Sequence, residues 1–224
     1  PFRPAPLRRR KTLDDSYRQI PLWSNVSPED WEDWHWQLRN RIYTVDQLRK
    51  VIRLTPDEEE ACAKKQGRLV MAIPPYWAAL MDPEDPNCPI RQQGVPRMEE
   101  FNIGPHDMRD PCGEDTDMPV PGLVHRYPDR VLFLVTEQCA MYCRHCTRRR
   151  LVGENHGLMS AYEGTFEYLR KHTEVRDVLI SGGDPLMMTD VRLGQVLARL
   201  REIPHLEFIR IGSRTPVTMP QRVT

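Results

Sequence analysis

The chain has 224 residues, and its 32 basic and 32 acidic side chains leave a formal net charge of zero. That balance excludes a global electrostatic field for nucleic acid or membrane, though not a local basic patch. No apolar stretch approaches the roughly 20 residues of a membrane span, and the first dozen residues are proline- and arginine-rich without the apolar core of a signal peptide.

The expected compartment is therefore cytoplasmic, where the six cysteines stay reduced. Cys62, Cys88 and Cys112 are scattered and read as structural thiols. Residues 1–26 are basic and proline-bearing, and read as an extended arm. Residues 27–125 read as a helical N-terminal region. Ser27-Pro28-Glu29-Asp30 offers an N-cap, a proline at the first helical position and acids in the first turn. Trp31, Trp34, Leu38 and Ile42 follow at helical spacing. Thr44 to Gln47 caps a second helix carrying Leu48, Val51 and Ile52. Thr55-Pro56-Asp57-Glu58 is a capping-box pattern for a third, with Gly67 at its end. Prolines punctuate residues 74–130, which predicts short helices and extended connectors.

Residues 126–224 change rhythm. Val131 to Thr136 is a continuous apolar run, as in a strand buried on both faces. A loop with cysteines follows, then a helix near 160–171. Val178 to Ile180 predicts a second strand ending in Ser181-Gly182-Gly183-Asp184-Pro185. A helix over 190–201 precedes a third strand, Phe208 to Ile211, which ends in Gly212-Ser213-Arg214-Thr215-Pro216. Alternating strands and helices imply parallel pairing with right-handed crossovers. Ligands in such folds gather at the C-terminal strand ends, where all three loops fall.

The first loop carries Cys139-Ala140-Met141-Tyr142-Cys143-Arg144-His145-Cys146, a CxxxCxxC cluster followed by Thr147-Arg148-Arg149-Arg150. Closed zinc or four-iron sites want four protein ligands. Three thiolates on a four-iron cluster leave one iron open. The flanking arginines are expected to favour thiolates. The competing reading is a cysteine-rich zinc or RNA-binding module, but no second cysteine pair exists and the basic run lacks interleaved aromatics. Ser181, Gly182, Gly183 and Asp184 offer close backbone approach and one acid for an ammonium group. Arg126, Tyr127 and Arg130, in His125-Arg126-Tyr127-Pro128-Asp129-Arg130, form a candidate anion site; alone they would read as a solvated basic turn.

Together these residues resemble the radical S-adenosylmethionine (SAM) superfamily and, within it, the lysine 2,3-aminomutase family. The segments DTDMPVPGLVHRYPDRVLFLVTEQCAMYCRHCTRRR, VRDVLISGGDPL and LREIPHLEFIRIGSRTPVTMPQRVT carry the resemblance, with WEDWHWQLRNRI in support. It implies a partial, open (β/α)6 barrel with a helical N-terminal extension. It implies a [4Fe-4S] cluster on Cys139, Cys143 and Cys146, with SAM on the open iron. His145, Ser181, Gly182, Gly183 and Asp184 match SAM contacts. Arg126, Tyr127 and Arg130 match contacts to the phosphate of pyridoxal phosphate (PLP), and Arg148 matches the grip on the substrate carboxylate.

The implied reaction moves the amino group of an amino acid from C2 to C3. Lysine is the first expectation, and glutamate or arginine aminomutases share the motifs. A reducing donor such as flavodoxin or ferredoxin, and a homo-oligomer at full length, are expected partners. The PLP-binding lysine lies later in the family's chains, in a glycine-rich motif. None of Lys11, Lys50, Lys64, Lys65 or Lys171 has that context. The chain is thus expected to be an N-terminal fragment holding about three of six barrel units, inactive alone.

Overall fold

The structure, a computed structural model, describes residues 16–64, 69–153 and 162–224. Its N-terminal part is a set of short helices around an aromatic core. Residues 16–26 depart from the expected extended arm. They form two 3-10 turns, Ser16–Gln19 and Pro21–Trp23. Tyr17 and Trp23 are each 2% exposed, and Tyr17 stacks on Trp31 with ring centres 3.9 Å apart. Burying two large rings outweighs the weak local propensity of the segment.

The helix expected from Ser27 onward is broken in two, α1 (Pro28–Glu32) and α2 (Trp34–Arg39). The cause is Asp33. Its carboxylate accepts the His35 and Trp36 amides at 2.9 and 3.2 Å, so the side chain competes with the helical ladder. The turn brings Gln37, not Leu38, to full burial. Gln37 donates to the Trp31 carbonyl at 2.8 Å and accepts the Tyr76 amide at 2.9 Å, which satisfies both ends of a buried amide.

Thr44 and Gln47 make a capping box at α3 (Val45–Leu48), a helix that ends before Val51 and Ile52, which it was expected to carry. The expected capping box forms at the next helix, Thr55 and Glu58 starting α4 (Pro56–Ala63). Gly67 lies outside the described residues. Two proline-initiated helices, α5 (Pro75–Ala79) and α6 (Pro89–Gln92), complete the region. It is locked by Arg91 and Glu58, whose side chains are 0% and 1% exposed and joined at 2.5 Å.

The C-terminal part is an α/β unit with a four-stranded mixed sheet in the order β1-β2-β3-β4. The strands are β1 (Leu123–Tyr127), β2 (Arg130–Thr136), β3 (Asp177–Gly182) and β4 (Phe208–Ile211). The last three are parallel, as expected from α7 (Tyr162–Lys171) and α8 (Asp190–Arg201) between them. The arrangement is compatible with part of a (β/α) barrel. Residues 154–161, including the expected start of α7, lie outside the described residues.

Strand β1 was not expected. It pairs antiparallel with β2 through a two-residue turn at Pro128-Asp129, so the HRYPDR motif is a hairpin with a solvent-exposed tip. Phe133, Ile180, Phe166 and Leu169 are essentially inaccessible on the helix-covered face. The other face carries the cross-strand row Val124, Leu132, Leu179 and Arg210, each paired with the next. A four-residue helix α9 (Thr215–Thr218) follows β4. Among the described residues no helix is long and apolar enough to cross a membrane.

Candidate active site: two cavities joined by one arginine

The loop after β2 is braced from the helical region. Arg41 Nη1 donates to the carbonyls of Cys139 and Ala140 at 2.8 and 3.3 Å, and the Arg144 amide donates to the Gln93 carbonyl at 3.0 Å. Within the loop, the Cys146 amide turns back onto the Cys143 carbonyl at 3.0 Å. The sulfurs of Cys139, Cys143 and Cys146 are free thiols, and all three residues line one cavity of about 340 Å³. The second and third loops complete it with Gly182, Gly183, Asp184, Ser213 and Arg214. Among the described residues, no three Cys, His, Asp or Glu side chains converge on one point as single-ion ligands.

The two glycines allow the strand ends to close up. Gly182 has φ +124°, and a Cβ there would sit 2.3 Å from the Thr136 carbonyl oxygen. A Cβ on Gly183 would meet the Gln138 carbonyl oxygen at 2.4 Å. The close approach they serve is thus to the backbone that leads into the cysteine loop. Asp184 is buried, and its carboxylate is filled by protein donors. Oδ1 accepts Ser213 Oγ at 2.6 Å and the Leu186 amide at 3.0 Å. Oδ2 accepts the Arg214 and Thr215 amides at 2.7 and 2.9 Å. It ties the second loop to the third, and leaves the expected ammonium contact without a free oxygen.

The arginine run departs most from expectation. Arg144 meets Glu100 at 2.5 Å and also donates to the Leu69 carbonyl at 3.1 Å. Arg149 shares Glu100 at 2.9 Å. Arg150 meets Asp110 and Asp115 at 3.0 and 2.9 Å, and Arg148 meets Glu114 at 2.7 Å. Every arginine of the run is therefore neutralised by a carboxylate and does not serve a thiol. Burial opposes ionisation of Glu100, yet Arg144 and then Arg149 hold its carboxyl below the usual range. The thiols feel the opposite. Burial, then the Asp184 charge and the neighbouring sulfurs, push the Cys139 thiol well above its ordinary value. Burial also raises Cys143, opposed by Arg214. His145 is exposed, with Nε2 at 3.4 Å from Arg214 Nη1.

A second cavity, of about 240 Å³, lies against the inner sheet face. Its floor is the Val124, Leu132, Leu179 and Arg210 row, and Arg126, Tyr127 and Arg130 all line it. The anion candidates are therefore brought together, though each arginine already has a carboxylate. Arg126 meets Asp117 at 2.6 Å and Arg130 meets Asp129 at 3.0 Å. Arg148 lines both cavities. It spans from Glu114 to Ser181 Oγ, which its Nη1 reaches at 3.4 Å.

No protein-family model matches the chain. Individual relatives do. The L-lysine 2,3-aminomutase of Clostridium subterminale is 54% identical over 209 residues, 92% of this chain and 50% of that protein. The L-lysine 2,3-aminomutase of Bacillus subtilis (strain 168) is 52% identical over 93% of this chain and 45% of its own length. The glutamate 2,3-aminomutase of Clostridioides difficile (strain 630) is 41% identical over 97% of this chain and 52% of its own length. The chain belongs to the lysine 2,3-aminomutase family. It spans about half the length of the curated relatives it matches.

In this aminomutase-family chain, sequence reasoning singled out the cysteines, the glycine loop and the hairpin arginines, but missed four residues around them. Glu100 and Glu114 carry the paired charges, Arg210 completes the second cavity, and Arg214 reaches a thiol. The first two stand in a proline-punctuated stretch with no periodicity. Arg214 was visible only as part of a third loop on the right edge of the sheet.

Proposed function

We propose that this chain forms the N-terminal part of a radical SAM, PLP-dependent amino-acid 2,3-aminomutase, with L-lysine as substrate and β-lysine as product. The observation that carries this reading is Arg148, which stands in the wall shared by a three-thiol cavity and an arginine-lined cavity. A reaction with two cofactors and one carboxylate substrate needs that juxtaposition. Support for lysine is that four relatives named for it are 49–54% identical, against 41% for the glutamate enzyme, while another lysine-named relative stands at 34%.

In this reading Cys139, Cys143 and Cys146 would hold three irons of a [4Fe-4S] cluster and leave one for SAM. Arg126, Tyr127 and Arg130 would hold the PLP phosphate. When bound, these groups supply a hydrogen-abstracting radical and a carrier for the migrating nitrogen. The protein's share is positioning and exclusion of water. Gly182 and Gly183 let the second loop lie against the cysteine loop, and Asp184 fixes the third loop beside it. Ser181 steadies Arg148 from the thiol side. The Arg148 fork would have to exchange Glu114 for the substrate carboxylate, keeping a bidentate contact that a lysine at this position could not copy. His145, exposed and 3.4 Å from Arg214, would meet the adenosyl part of SAM. A reducing donor such as flavodoxin or ferredoxin supplies the electron, and the remaining sequence of the enzyme supplies the PLP lysine and the side-chain selectivity.

The RNA-binding alternative has little support, since the Arg144 and Arg150 side chains are only 6% and 4% exposed. A phosphate backbone would find no free basic stripe there. Anaerobic reconstitution with iron and sulfide tests the reading. Uptake of about four irons and four sulfides per chain, with an EPR spectrum of the reduced cluster that changes on adding SAM, is expected. Uptake of one zinc and no iron would overturn it.

A further inference from the structure

The cavity of three thiols has two lining cations, Arg148 and Arg214. Arg148 is committed to Glu114. Arg214 is different: among the described residues no carboxylate side chain forms an ion pair with its guanidinium. Its Nη1 donates to Cys143 Sγ, and its Nη2 donates to Gln93 Oε1. The guanidinium carbon stands 5.4 Å from the centre of the Trp77 ring. These partners fix the fork without neutralising it. The backbone is fixed too, since the Arg214 amide donates to Asp184 Oδ2 at 2.7 Å and its carbonyl accepts the Val217 amide at 3.0 Å.

We propose that Arg214 is the positioning residue whose positive charge, delivered through Cys143, balances the anionic thiolate-held centre and sets how readily it is reduced. This rests on the reading of the three cysteines as iron–sulfur ligands. The physical reason is direct. Reduction adds one negative charge to a centre that three thiolates already make anionic. A fixed guanidinium beside one sulfur favours the more negative state, by charge and by an N–H to sulfur hydrogen bond, and so raises the potential. The four arginines of the adjacent run cannot do this, because each is spent on a carboxylate.

The test is an EPR-monitored redox titration of the anaerobically reconstituted chain, with Arg214→Gln and Arg214→Lys beside the unchanged protein. At the potential where half of the unchanged clusters are reduced, R214Q is expected to show a reduced-to-oxidised ratio about tenfold lower, equal to about 59 mV for a one-electron couple. R214K keeps the charge and is expected to stay within about twofold of the unchanged protein. Far-UV circular dichroism of each variant monitors folding. R214Q that loads fully and titrates like the unchanged protein would overturn the proposal. If R214Q does not fold, R214K decides: a tenfold loss with the charge kept would show that charge is not the cause. Failure of the unchanged chain to take up iron would instead bring down the cluster reading itself, and the proposal with it.

Discussion

The two cavities share Arg148 but lie beside ion pairs of opposite exposure. Behind the cysteine loop, outside the cavity lining, the ion pairs of Arg91 and Arg144 are buried. Arg91 and Glu58 anchor α6, just before Gln93, and Glu100 clamps Arg144 and Arg149. Around the arginine cavity, Arg148 and Glu114 apart, the arginines are open to solvent: the side chains of Arg126, Arg130 and Arg210 are 45%, 50% and 51% exposed. Buried pairs are expensive to break, because one desolvated charge is left behind. Exposed pairs contribute little and give up their partners readily. The contrast separates a support built to stay fixed behind the cysteine loop from a cavity rim whose arginines can exchange a carboxylate for an incoming anion.

The largest expected effect comes from breaking the fixed support at its anchor. Glu58→Ala leaves Arg91 buried and unpaired, and is expected to cost about 3–5 kcal/mol in urea unfolding. Replacing both, Glu58→Leu with Arg91→Met, should recover most of that loss. A pH series sharpens the point. Burial opposes ionisation of Glu58, but the Arg91 hydrogen bond and the Thr55 amide hold its pKa below the ordinary 4.5. A lowered folded-state pKa means that its stabilisation is complete above about pH 4.5 and is lost as pH falls through the folded value. The gap between the parent chain and E58A should therefore be constant near neutrality and narrow below pH 4.5. A gap independent of pH would show that the carboxylate charge is not what Arg91 needs.

The next effect tests the junction of strand ends on which the thiol cavity closes. Gly182→Ala forces a side chain onto φ +124° and against the Thr136 carbonyl. The strain and the clash together should cost about 2–4 kcal/mol. Because the displaced backbone leads into the cysteine loop, iron uptake should fall with stability. Gly194→Ala is the control, since a Cβ there meets nothing within 4 Å. Equal stability of G182A and G194A would refute the close approach.

Much of this scaffold was legible from residues. Thr44 with Gln47 and Thr55 with Glu58 mark helix starts by a reciprocal side-chain pattern that needs no tertiary help. The apolar runs at 131–136 and 178–180 mark buried parallel strands. Strand β1 escaped because its tail, Arg126 and Tyr127, is exposed and a proline follows, so neither a run nor an alternation is present. Tyr17 and Trp23 escaped because a basic, proline-bearing context hid two core residues. The thiols and glycines of the site were legible because spacing is local. Their electrostatics were not: Arg144 finds Glu100 across 44 residues, Arg148 finds Glu114 across 34 and Arg214 finds Cys143 across 71. Counting the four arginines beside the cysteines therefore assigned the positive charge to the wrong residues.

The smallest effect on stability is expected at the open rim, and it is the one that distinguishes exchange from mere exposure. Arg130 touches Asp129 at 3.0 Å, with side chains 50% and 34% exposed. Asp129 also receives Arg176 at 3.3 Å, so removing Arg130 does not strand a buried charge. Arg130→Ala should move the melting temperature by less than about 2 °C. Yet Arg130 lines the second cavity with Arg126 and Tyr127. If those arginines release their carboxylates for a phosphate, R130A and R126A should each weaken PLP binding, measured by equilibrium dialysis, and the double variant more than either. Asp129→Asn should do the reverse, because the guanidinium loses its internal competitor. Unchanged dialysis in all four variants would leave the rim merely solvated and remove the phosphate assignment. Weaker binding in D129N would show instead that Asp129 aims Arg130 at the anion, and that the pair acts as a unit.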